Sequence, residues 1–312
     1  MRYAVRAEQV GFQYAMISDH YHPWIEQQGN SSYVWAVLGA IASSTTYLKV
    51  GTGVTCPILR NHPALIAQAA ATVAMLMPGR FMLGLGTGER LNEHVLGQPW
   101  PPYATRAAML EEAVSIIRRL WQGDQYSCSG RYFTVENARL YSLPEALPPI
   151  YLAAAGPNSA TMAGRIADGL INFTPDAKVT ETFQANGGTG KPRVVQYNVC
   201  WAEDEQEARK TALKICPNVA LKGPLGQELA VPAHFEQSVT AITEDDVAKV
   251  IVCGPDADRH AAGIQACIDA GYDHVHVYQV GPDQEGFFRF YQDNILPRFT
   301  ESQGASGATA TH

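Results

Sequence analysis

Short apolar, β-branched runs alternate with longer amphipathic segments along almost the whole sequence, and that alternation leaves few folds open. The runs are Tyr14–Ser18, Leu48–Thr55, Phe81–Thr87, Ile150–Ala154, Gly169–Asn172, Arg193–Trp201 and His274–Val280. Helical patterns fall between them, over Tyr33–Ser43, Pro63–Leu76, Thr105–Trp121, Asn158–Ile166, Asp204–Lys214 and Asp256–Ala270. Two more, Tyr3–Val10 and Gln284–Leu296, precede the first strand and follow the last. Gln125–Phe133, with Ser129-Gly130 inside it, reads as a small hairpin. Strand–helix alternation predicts a parallel sheet covered by helices. The spacing suits a (β/α)8 barrel better than a doubly wound sheet. Because the chain starts on a helix, the first strand of an eight-stranded closed barrel is expected to be missing.

The expected organisation is one barrel domain over residues 1–299 and a small, polar, frayed tail over 300–312. Two irregular insertions, at about 174–196 and 217–243, are rich in Gly, Pro, Asn and Gln. Insertions after barrel strands build lids and substrate walls, so these are the candidates for specificity.

Composition excludes several partners. Lys and Arg number 23 against 30 Asp and Glu, a net charge of −7, which is the wrong sign for a nucleic-acid or anionic-membrane binder. The apolar stretch Ile66–Met77 is too short to span a bilayer. The six cysteines form no C-x-x-C pair and no zinc or disulfide framework, so they read as reduced core residues in a cytoplasmic protein.

Barrel active sites lie at the C-terminal ends of the strands. Asp19, His20 and Trp24 follow the first strand, Cys56 and Arg60 the second, and Gly88, Glu89, Asn92 and Glu93 the third. His20 is a potential general base beside an acid, Trp24 offers a flat face to a ring, and Glu89 follows a glycine-rich strand end. Each has a plainer reading: Asp19-His20 as a loop cap, Trp24 as core, Glu89 as a helix cap. Gly84-Leu85-Gly86-Thr87-Gly88 lacks the G-x-G-x-x-G spacing of a dinucleotide loop. The pairs His20/His22 and His274/His276 find no third ligand by spacing, so no metal site is expected.

Three segments, Ser18-Asp19-His20-Tyr21-His22-Pro23-Trp24, Gly51-Thr52-Gly53-Val54-Thr55-Cys56-Pro57 and Gly86-Thr87-Gly88-Glu89-Arg90-Leu91-Asn92-Glu93, resemble the luciferase-like superfamily. The resemblance is closer to its deazaflavin branch, the coenzyme F420-dependent dehydrogenases that include the glucose-6-phosphate dehydrogenases of actinobacteria. It implies a (β/α)8 barrel with deazaflavin at the C-terminal end of the strands. It further implies His20 as general base on the substrate hydroxyl, Trp24 as stabiliser of the intermediate and Glu89 as proton donor to the deazaflavin ring nitrogen. Cofactor contacts are implied at Asp19, Gly53, Val54, Cys56, Gly88, Asn92, Ala155 and Gly156, with a cis peptide at Gly53-Val54 and a homodimer as the expected assembly. A secondary alcohol gives up hydride only as its hydroxyl proton leaves; a neutral His can take that proton, and a neighbouring Asp can hold its tautomer.

The sequence departs from the glucose-6-phosphate enzymes at their phosphate grip of two Lys and one Arg. Lys178 falls near one Lys position, Gly226-Gln227 at the other and Val250 at the Arg. Each charge-assisted bond contributes about 1.5–3 kcal/mol, so a sugar phosphate is a poor expected substrate. Ala155 also stands where the family has Gly. The expected activity is hydride transfer between deazaflavin and a secondary alcohol, a sugar hydroxyl or the matching carbonyl. The alternatives are an FMN-dependent monooxygenase of the same superfamily and a non-catalytic deazaflavin-binding barrel.

Overall fold

Glu8 shows how the chain is locked from its start. It sits near the end of α1 (Arg2–Val10), and its buried carboxylate accepts hydrogen bonds from the backbone N–H groups of Thr46, Tyr47 and Leu48. Those three residues lead into the second barrel strand. In the computed structural model, residues 1–299 are described.

β1 (Tyr14–Ile17), β2 (Lys49–Thr52) and β3 (Phe81–Leu85) pair in parallel, with Ala15 opposite Val50 and Val50 opposite Phe81. The helices α2 (Val34–Ser44) and α3 (Pro63–Leu76) make the crossovers, and Pro63 occupies the first turn of α3 behind the capping ring of His62. α4 (Arg90–Glu93) is one short turn after β3, and α5 (Tyr103–Leu120) is the long crossover helix. β4 (Tyr126–Ser129) and β5 (Thr134–Ala138) form the antiparallel hairpin, which ends five residues later than the sequence suggested. Glu112 of α5 closes its turn by accepting from the backbone of Arg131, Tyr132 and Phe133.

The barrel continues through β6 (Ile150–Ala153), α6 (Pro157–Ile166), β7 (Gly169–Asn172), α7 (Ala177–Phe183), β8 (Arg193–Cys200) and α8 (Glu205–Ile215). Short helices α9 (Leu225–Glu228), α10 (Pro232–Ser238) and α11 (Glu244–Ala248) follow, so the second insertion is largely helical. β9 (Val252–Cys253) adds to the end of β8, and α12 (Ala257–Asp269), β10 (His274–Gln279) and α13 (Gln284–Phe290) complete the order.

The barrel strands run in the order β1-β2-β3-β6-β7-β8-β10, all parallel. These are the seven strands expected, and they form a nearly closed barrel. Its two ends approach through Tyr14 of β1 and His274 of β10, whose ring centroids lie 4.7 Å apart, edge to face. The core is the ring of helices against the outer strand faces, where Leu38, Leu48, Ala67, Leu83, Leu110, Ile117 and Leu152 are fully buried. Gly84 lets β2 and β3 close up: a Cβ there would run into the carbonyl oxygen of Thr52. The tail expected over 300–312 lies outside the described residues. No helix among the described residues is long and apolar enough to cross a membrane.

Candidate active site

A cavity of about 780 Å³ opens at the C-terminal mouth of the barrel. His20, Trp24, Gly53, Val54 and Glu89 all line it. They come from the ends of three neighbouring strands, which is why residues 33 and 36 positions apart meet in space. The Gly53-Val54 peptide is cis, as expected, and sits where β2 leaves the ladder.

His20 has a defined tautomer. Its Nδ1 is 3.3 Å from the carbonyl oxygen of His22. A carbonyl only accepts, so Nδ1 carries a proton, and in the neutral ring the lone pair is on Nε2. The expected partner, Asp19, does something else. Its carboxylate is buried, accepting from the Thr55 hydroxyl at 2.9 Å and from the Arg60 guanidinium at 2.9 Å. The tautomer is therefore set by a backbone carbonyl and not by the neighbouring acid.

The Trp24 ring meets His20 on one side and Phe235 of α10 on the other, both edge to face at 5.1 Å. Buried Phe235 packs with Ile25 and Leu91, so the second insertion reaches back to brace the His20 loop. Glu89 precedes α4 at its N-cap position, but its side chain makes no capping hydrogen bond, leaving the carboxylate to the cavity. The helix-cap reading of Glu89 is thus not the one adopted.

The remaining candidates lie around the cavity and not on its wall. Asn92 is buried, and its Oδ1 accepts from the backbone N–H of Tyr21 at 2.8 Å and of His22 at 3.1 Å. Its Nδ2 is buried without a partner. Cys56 is buried behind Gly88, whose φ of +75° and closeness to Cys56 Sγ leave no room for a side chain. Ala155 and Gly156 lie at the N-terminus of α6, with open space where a Gly156 side chain would be. Lys178 stands exposed on α7; Thr174 and Pro175 line the cavity, and Lys178 does not.

Gln196, Asn198 and Tyr278 were not singled out from the sequence, and His276 was noted there only as one of a histidine pair. Gln196 and Asn198 of β8 face His276 and Tyr278 of β10 in the strand register, and all four line the cavity. Their polar side chains at every second position along two barrel strands were the available signal. Burial in the barrel pushes the His276 imidazole down to about 4, so it is neutral at pH 7. Among the described residues Lys249 is the one lysine on the wall, and its exposed ammonium is 3.0 Å from Asp246. Among the described residues no group of three or more His, Cys, Asp or Glu side chains could share a metal ion.

Residues 1–274 match the luciferase-like monooxygenase family. The chain belongs to this luciferase-like family. Within the family, it is 37% identical over 305 residues to an F420-dependent hydroxymycolic acid dehydrogenase of Mycobacterium tuberculosis, a match covering 95% of this chain and 82% of that protein. It is 33% identical over 310 residues to an F420-dependent glucose-6-phosphate dehydrogenase of Microbacterium testaceum, covering 95% and 91%. Among solved luciferase-like structures, an F420-dependent secondary alcohol dehydrogenase in complex with an F420-acetone adduct superposes with a TM-score of 0.87 at 28% identity, covering 94% of this chain and 92% of that one.

Proposed function

We propose that this protein is a coenzyme F420-dependent oxidoreductase that moves a hydride between the cofactor and a secondary alcohol, a sugar hydroxyl or the matching carbonyl. The observation that carries the reading is the convergence of His20, with its lone pair on Nε2, and the uncapped carboxylate of Glu89 on one cavity. The F420-dependent relatives act on hydroxyl-bearing or carbonyl compounds by name, and they span nearly the whole chain.

The residues present fit a flat cofactor with an anionic tail. Asn92 is buried behind the wall and spends its Oδ1 on the N–H groups of Tyr21 and His22, so it shapes the loop that carries His20. Gly53 and Val54 line the cavity at the cis peptide and offer a ring their backbone, and the N-terminal end of α6, with open space at Gly156, presents the positive end of its dipole to an anionic tail. Coenzyme F420 supplies the hydride acceptor or donor. His20 Nε2 takes the hydroxyl proton as hydride leaves the carbinol carbon, and returns it in the reverse direction. Trp24 fixes the imidazole plane, and Glu89 holds or releases a proton at its carboxylate oxygens. Asn198, Gln196 and neutral His276 orient the substrate without adding charge.

The substrate is uncharged in this reading. Lys249 has a side chain 71% exposed, where solvent screens its charge, and Lys178 is away from the cavity wall. The test is a parallel titration of the purified protein with F420 and with FMN, read by fluorescence. Tight F420 binding with weak FMN binding supports the dehydrogenase. The reverse order supports a monooxygenase and contradicts the proposal.

A further inference from the structure

One buried cluster beneath the cavity has no part in the chemistry above. Arg60 lies between β2 and α3 with its side chain only 8% exposed. Its guanidinium donates to the backbone oxygen and to Oδ1 of Asp19, both at 2.9 Å. On its other side Nε is 3.6 Å from Oε1 of Glu93, and the Arg60 backbone N–H donates to Glu93 Oε2 at 3.0 Å. Both carboxylates are 1% exposed. A buried charge cluster of this kind adds little net stability, because desolvation offsets the attraction. Its geometry is the informative part.

Asp19 is the residue before His20. Glu93 is one helical turn after Glu89, and its N–H donates to the Glu89 carbonyl at 3.2 Å. The loop carrying His20 is held at each residue from 19 to 22: Arg60 holds the Asp19 carbonyl, Ser31 the His20 carbonyl at 2.7 Å, and Asn92 the N–H groups of Tyr21 and His22. The His22 carbonyl that fixes the His20 tautomer is therefore placed by α4 and by Arg60 together.

We propose that Arg60 is a positioning residue for the reaction: by bridging Asp19 and Glu93 it fixes His20 and Glu89 relative to one another. The inference rests on the oxidoreductase reading for its kinetic consequence, and on the structure alone for its effect on His20. Arg60 does not line the cavity; it acts through the two loops it joins. Lysine is a poor replacement: Nη2 alone holds the Asp19 carbonyl and Oδ1 while Nε faces Glu93, and a single ammonium has no second, rigidly placed nitrogen to serve both acids.

The test uses Arg60→Lys and the double variant Arg60→Met/Glu93→Gln, which removes one carboxylate charge along with the cation and so guards against misfolding. The first readout is the 15N NMR spectrum of the His20 ring in the protein without cofactor. Wild type is expected to show a single Nδ1–H tautomer, and both variants a mixture. The second readout is kinetic. Misplacement of a catalytic group by about 1 Å can cost about a hundredfold. The double variant is expected to lose kcat by about that factor while KM for the alcohol changes by no more than about threefold. An unchanged His20 spectrum in both variants would overturn the proposal. So would cofactor affinity and kcat falling together with the tautomer intact, because Arg60 would then merely support the fold. If wild type turns over no alcohol with F420, the oxidoreductase reading fails, and the NMR arm still decides the role of Arg60.

Discussion

The Nδ1 of His20 hydrogen-bonds the carbonyl oxygen of His22, two residues along the same loop, at 3.3 Å. This contact leaves the ring one basic nitrogen, Nε2, in the residue that lines the cavity beside Trp24 and Glu89. A general base needs a fixed lone pair, and here the main chain supplies the fixing.

Replacing His20 by alanine is therefore expected to lower kcat for alcohol oxidation by about 10²–10⁴-fold, the usual contribution of general-base catalysis. Affinity for F420 should stay within a few fold, since the ring meets Trp24 and the loop carbonyl. Steady-state kinetics and a cofactor titration on the same preparation would separate the two. Equal losses in both would remove His20 from the chemistry.

His276 makes stability depend on acid. Its imidazole is held neutral by burial, with a folded-state pKa of about 4 against about 6.5 for an ordinary histidine. Between those values the unfolded chain binds more protons than the folded one, so stability falls as pH drops from 6.5 towards 4. His276→Gln is expected to flatten that slope in thermal unfolding while leaving Tm near pH 8 little changed. A slope identical to wild type would show that other groups govern it.

Glu93 gives the opposite sign. Desolvation raises its carboxyl to about 7, although Arg60 pulls it down. A buried acid of this kind keeps its proton in the fold when the unfolded chain has lost it, so stability decreases as pH rises from 4.5 to 7, and the ionised carboxylate faces Arg60 in full only above that range. Glu93→Gln should remove that loss, which denaturant midpoints at pH 5 and pH 8 would reveal.

Gly88 is expected to tolerate no side chain. Its φ is +75°, and a Cβ would meet Cys56 Sγ at 2.6 Å and Glu93 Cγ at 3.0 Å. Gly88→Ala should destabilise by at least about 1–2 kcal/mol from backbone conformation alone. Urea unfolding measures it directly; a neutral result would mean that the Gly88 turn readily rearranges.

Substrate charge is the fifth point at issue. Two missing cations, at about 1.5–3 kcal/mol each, should lower kcat/KM for a sugar phosphate at least about a hundredfold relative to an uncharged secondary alcohol that fits the cavity. Lys249→Ala should change the rate with the neutral alcohol by less than about threefold, since solvent screens that exposed ammonium. Efficient use of glucose 6-phosphate would contradict this.

Much of the site could be read from sequence because its main groups follow strand ends directly. His20, Trp24, Gly53-Val54 and Glu89 sit within a few residues of β1, β2 and β3, so the barrel rule alone brings them to one mouth. What escaped depends on side-chain direction and on partners distant in sequence. Asp19 was paired with His20 because they are adjacent, yet successive residues in an extended loop point apart, and Asp19 turns to Thr55 and Arg60. Gln196, Asn198, His276 and Tyr278 lie within strands, and their inward face followed only from the period-2 pattern. The fold was legible for a similar reason: strand–helix alternation is a local signal repeated seven times. The short helices α9 to α11 carry too few residues each to show a period.

The most direct measurement mixes the protein with F420 and an uncharged secondary alcohol and follows bleaching of the deazaflavin absorbance, with His20→Ala as control. The account expects bleaching with wild type, loss of that rate by at least about a hundredfold in the variant, and no comparable reaction when FMN replaces F420. Bleaching undiminished in His20→Ala, or turnover supported by FMN and oxygen but not by F420, would contradict it.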